Sequence, residues 1–131
     1  MTLSDAERDA LDAAGTSWRV EGDPNGWTNI VITGYRIPEG FSAATVDLLV
    51  KLHPQFPDVP PDMFWVHPRV TLTGTGVGPA ATQVDEHLLG RTWQRFSRHL
   101  GPGQWRPGVD LRTWLAAIRR LLAADVAQAA A

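Results

Sequence analysis

The chain has 131 residues, a hydrophobic fraction of 44%, a charged fraction of 20% and a net charge of −2, the profile of one globular domain around one core. It contains no cysteine, which excludes a disulfide framework, a thiolate metal site and a cysteine nucleophile. No apolar run approaches the length of a membrane span, and the N-terminus carries acids where a leader would carry bases, so the expected setting is the cytoplasm, with no membrane partner.

Ser4-Asp5-Ala6-Glu7 is a capping box, Ser at the cap and Glu three residues later. It opens a short helix within residues 1–15, with Leu3, Ala6, Ala10 and Leu11 on one side and Gly15 as its stop. Residues 18–21 alternate like a strand, and Asp23-Pro24-Asn25-Gly26 is a turn. Residues 27–35 give a second strand, with Ile30 and Ile32 on one face and Val31 on the other. Residues 44–52 give a third.

Pro57, Pro60, Pro61 and Pro68 then bracket Met63-Phe64-Trp65-Val66. Proline lacks the amide hydrogen a central strand needs, so this segment spells a rigid extended approach, a short fourth strand and an abrupt exit at His67-Pro68. Residues 69–89 show no period and are expected to be an inserted loop. Residues 90–99 are aromatic and basic, and residues 101–108 form another rigid loop. Asp110 caps a second helix, expected over 110–127, with Leu111, Trp114, Leu115, Ile118, Leu121, Leu122 and Val126 at spacings of three and four and Arg112, Arg119 and Arg120 on the other side. Four strands in an antiparallel meander with a helix at each end make the fold class α+β.

Charge is unevenly spread. Residues 1–66 carry ten Asp and Glu against four Lys and Arg, whereas residues 88–131 carry seven Arg against two Asp. Faces of opposite sign suit protein partners, and scattered solvated charge is the plainer alternative. His53, His67, His87 and His99 lack metal-ligand spacing, so neither a metal nor another cofactor is expected. His53 and His67 are expected to be structural. Residues 74–78 lack the Lys-Ser/Thr that completes a phosphate loop. Trp18, Trp65 and Trp114 are expected in the core. Trp93 and Phe96, flanked by Arg91, Arg95 and Arg98, are a candidate partner-binding patch. Stacking on single-stranded nucleic acid is the alternative for that patch, which the acidic first half of the chain disfavours.

Four pieces in order resemble the ubiquitin-conjugating-enzyme (UBC) fold. Phe56-Pro57-Asp58-Val59-Pro60-Pro61 matches its Tyr-Pro-x-x-Pro-Pro segment, with Phe for Tyr. His67-Pro68-Arg69 matches His-Pro-Asn, with Arg for Asn. Trp105-Arg106-Pro107 matches Trp-x-Pro, and residues 111–122 look like the helix that follows. The resemblance spans most of the chain as a single UBC-like domain over 1–131. It is closer to the bacterial UBC-like families found beside ubiquitin-like proteins and their activating enzymes, and it implies those two as partners.

The resemblance also implies a nucleophilic cysteine about eight residues before the Trp of Trp-x-Pro. Counting back from Trp105 lands on Ser97; aligning on Gly90-Arg91-Thr92-Trp93 instead would place Trp93 there. Ser97 as acyl acceptor needs a base, since its hydroxyl is a weak nucleophile alone. His99, two residues on, shares its side if the segment is extended, and Asp85, Glu86 and His87 are further candidates to orient or assist a base. Arg69 or Arg98 would supply the charge that the family's Asn lends to the oxyanion. A surface pair without chemistry is the alternative for Ser97 and His99. The family's N-terminal helix contacts the activating enzyme, which would put Asp5, Arg8, Asp9 and Asp12 at that contact. Two functions stay open: a serine-based acyl carrier, or a UBC variant without chemistry that binds a ubiquitin-like protein or its activating enzyme.

Overall fold

A computed structural model describes residues 2–130. Helix α1 (Asp5–Ala14) is followed by strands β1 (Ser17–Gly22), β2 (Thr28–Arg36), β3 (Thr45–Leu52), β4 (Met63–His67), β5 (Asp85–Leu88) and β6 (Arg91–Ser97), and by helix α2 (Leu111–Ala130). The fold is α+β, and the first four strands form the antiparallel meander read from the sequence. Among the described residues no helix is long and apolar enough to cross a membrane.

The sheet is larger than the sequence implied. It has six strands in the order β1-β2-β3-β4-β6-β5. The end of the stretch expected as loop forms β5, and the basic aromatic segment forms β6, which pairs with β4 from Met63↔Ser97 to Val66↔Gln94. The two strands join through Leu89 and Gly90, both at positive φ (52° and 78°). That is the backbone of a tight two-residue hairpin turn whose usual signal is Asn-Gly or Asp-Gly.

Strand alternation sorts the sheet into two faces. Ile30, Ile32, Leu48, Val50, Phe64, Val66 and Phe96 turn toward the helices and pack on Leu11, Leu111, Trp114 and Ile118. Phe64 stacks on Phe96 with ring centroids 4.8 Å apart and meets Trp114 edge-on at 6.3 Å. The opposite face gathers Val31, Leu49, Trp65 and Trp93, flanked by Met63, Leu88 and Leu89. Trp65 and Trp114 are core residues as expected, whereas Trp18 is only half-buried and Ala6 is exposed.

The helices are tied at their starts. Glu7 N–H donates to Ser4 Oγ (3.1 Å) and Ser4 N–H to Glu7 Oε1 (2.9 Å), completing the capping box. The other Glu7 oxygen accepts the Leu111 N–H at 3.1 Å, while Asp110 Oδ1 accepts the Arg112 N–H at 2.9 Å. One buried carboxylate therefore serves the ends of both helices and satisfies an amide that would otherwise be orphaned.

Candidate functional site

The motifs that carry the resemblance meet in space. Trp105 Nε1–H donates to the Pro57 carbonyl at 2.7 Å, and the Phe56 and Trp105 rings lie 5.7 Å apart. The proline segment and the 101–108 loop thus close on each other at the end of the sheet where β4 begins.

Ser97 lies at that same end. It is the last residue of β6, opposite Met63 on β4, so alternation puts its side chain on the helix-free face. Its N–H donates to the Ala81 carbonyl at 3.3 Å, and the next amide, Arg98 N–H, donates to Asp62 O at 2.8 Å. Ser97 is half-buried and His99 exposed. Among the described residues no hydrogen bond joins Ser97 Oγ to His99 or to any other base.

Arg69 lies elsewhere. It follows the far end of β4 and pairs with Asp85 at 2.5 Å. Asp85 sits opposite Gln94, three residues along β6 from Ser97, a separation of roughly 10 Å. The structure therefore does not bring Arg69 to Ser97. Arg98 is also committed: Nη1 donates to Ala80 O (2.8 Å) and Ser97 O (2.9 Å), and Nη2 donates to Asp125 Oδ2 (2.8 Å). Burial pushes the Asp125 carboxyl up, partly offset by Arg98. Glu86 is held by Trp65 Nε1–H (3.3 Å) and Arg95 (3.0 Å), and His87 is exposed.

Trp93 and Phe96 do not form a surface patch. Both are 0% exposed; Phe96 fills the helix-side core, and Trp93 packs on the other face with its indole N–H donated to Leu88 O at 2.9 Å. Buried rings cannot present a stacking face to a partner or to bases. On α1, Asp5, Arg8, Asp9 and Asp12 are all exposed. Asp12 accepts the Trp18 Nε1–H at 2.7 Å, and the Arg8 guanidinium lies 5.8 Å from the Trp18 ring. His67 takes a structural role, with Nδ1 2.9 Å from Thr92 O. His53 does the same in a turn, with Nδ1 accepting the Gln55 N–H at 3.0 Å.

One feature of the helix-free face was missed in the sequence. Trp27, Lys51, His53, Pro60, Pro61, Asp62, Met63 and Trp65 line a cavity of about 190 Å³ on the side that Ser97 faces. Period-two alternation of Leu49 and Lys51, and of Met63 and Trp65, was the available signal.

A family model described as prokaryotic E2 family E matches residues 3–125. No curated protein and no solved structure matches the chain. With helix, meander, proline segment and Trp-x-Pro helix in this order, and a family match over nearly the whole length, the chain belongs to prokaryotic E2 family E.

Proposed function

We propose that this E2-family chain acts in a bacterial ubiquitin-like conjugation pathway as a binding protein, positioning a ubiquitin-like protein or its activating enzyme without carrying the acyl group itself. The observation that carries this reading is the state of the residue standing for the nucleophile: Ser97 is built into the β4–β6 ladder, and among the described residues no base is bonded to its hydroxyl. A serine without a general base is a poor acceptor for a C-terminal carbonyl. The exposed face of helix α1, with Asp5, Arg8, Asp9 and Asp12, is the surface assigned to the activating enzyme. Co-elution with the ubiquitin-like protein or activating enzyme encoded beside it, with no covalent adduct in the presence of ATP, is the expected outcome.

A second reading is favoured by one feature. Ser97 is partly exposed, and among the described residues no hydrogen bond consumes its Oγ. In that case Ser97 Oγ attacks the activated C-terminal carbonyl, His99 takes the proton and the activating group leaves. The resulting oxyester passes to an amine, with Ser97 regaining its proton. Arg69 has no part in that step. A hydroxylamine-labile adduct that disappears in Ser97→Ala would replace the first reading with this one.

A further inference from the structure

The connection between β2 and β3 packs against α2 and leaves a cleft of about 470 Å³ lined by residues 36–44 and Arg119. Among the described residues, six of the eleven arginines are ion-paired: Arg19, Arg69, Arg91, Arg95, Arg98 and Arg112. Arg36 and Arg119, both exposed, have no such partner among the described residues, and both line this cleft. Glu39 lines it too, yet lies beyond ion-pair distance of either.

The cleft is preorganised. Ser42 N–H donates to Thr71 O and Thr73 N–H to Gly40 O, each at 2.9 Å, and Thr71 N–H donates to Ser42 Oγ at 2.9 Å. Phe41 anchors the loop in the core at 6% exposure. Arg119 is held over Tyr35, 5.8 Å from the ring centroid. The Tyr35 hydroxyl beneath it is buried and has no hydrogen-bond partner among the described residues.

From these observations we infer that the cleft between the β2–β3 connection and α2 is a docking site for an acidic segment of a protein partner, with Arg36 and Arg119 taking side-chain carboxylates. Two guanidiniums lining one cleft, Arg119 held over Tyr35 and Arg36 exposed beside it, offer carboxylates charge-assisted hydrogen bonds. One acid in the same lining, Glu39, leaves a net charge of +1. That suits one or two carboxylates and disfavours the dense charge of a nucleotide triphosphate.

The test is a titration of the isotope-labelled full chain with a synthetic peptide of alternating Gly and Glu, followed by amide chemical shifts. Its Gly-Gln counterpart, inorganic phosphate and ATP form the comparison arms. The expected result is saturable shifts confined to residues 36–44 and the amides around Arg119 with the Glu peptide alone, weakened by salt. Arg36→Gln and Arg119→Gln, both exposed changes, should each lower affinity about fivefold, the scale of one exposed charge pair. Glu39→Gln should raise it. The proposal fails if the Glu peptide causes no shifts there, if the double Arg variant binds as well as the parent, or if phosphate or ATP binds the cleft more tightly than the peptide.

Discussion

Replacing Glu7 by Ala should be among the most destabilising single changes on the surface helices. The carboxylate accepts the Ser4 amide at 2.9 Å and the Leu111 amide at 3.1 Å, the latter in a buried setting. Losing the reciprocal half of a cap costs about 1 kcal/mol. Leaving a buried amide without an acceptor costs about 1–3 kcal/mol, and the start of α2 also loses a negative group near its dipole, worth about 0.5 kcal/mol. The sum is about 3 kcal/mol, or a fall in Tm of roughly 10 °C for a chain of this size. Urea unfolding gives the loss, and hydrogen exchange locates it: the Leu111 amide should lose protection while the β2–β3 amides keep theirs relative to global unfolding. A change below about 0.5 kcal/mol, within the range of ordinary surface substitutions, would show that Glu7 does not tie the two helices.

Other outcomes follow from the packing. A Cβ on Gly15 would stand 2.5 Å from Thr33 O and 2.7 Å from Ile32 Cγ2, while one on Gly22 meets nothing within 4 Å; Gly15→Ala should cost about 2 kcal/mol in urea unfolding and Gly22→Ala close to nothing. Phe96→Ala should cost about 3–5 kcal/mol, as expected of a ring stacked in the core and not of a surface patch. The acid limb of stability contains two opposed carboxylates. Arg112 hydrogen-bonds Asp110 and lowers its carboxyl, so that contribution is present above the ordinary Asp range and is lost as pH falls through the lowered value; Asp110→Asn should flatten unfolding curves below about pH 4. Burial raises Asp125, so the folded state holds that proton to higher pH than the unfolded chain, and its contribution fades as pH rises through the raised value. Asp125→Asn should remove that opposing slope while costing about 3 kcal/mol through the broken pair with Arg98.

The first four strands and both helices were legible because their signals are local: a capping box at Ser4 and Glu7, period-two alternation through residues 27–35, and prolines that fence off Met63. The β5–β6 hairpin was not, for physical reasons. Its turn uses Leu89, a residue that gives no hint of positive φ. Strand β6 buries both faces, so Trp93 and Phe96 look like an aromatic surface run and not an alternation. Gln94 hides a core position behind a polar side chain: its amide exchanges two hydrogen bonds with the Val70 backbone, at 2.8 and 3.1 Å, and is 1% exposed. The same blind spot separated Ser97 from Arg69, since only the strand pairing places them at different ends of β4. The exposure of Asp5, Arg8, Asp9 and Asp12 on α1 and the turn at His53 needed no such long-range information.

Intact-mass spectrometry tests the central claim most directly. The chain is incubated with a bacterial activating enzyme, a ubiquitin-like protein and ATP, and the products are measured with and without hydroxylamine. The expected result is an unmodified chain that co-elutes with one of the two partners, with Ser97→Ala behaving identically. A hydroxylamine-labile adduct present in the parent and absent in Ser97→Ala would contradict it and make this E2-family member an acyl carrier through serine.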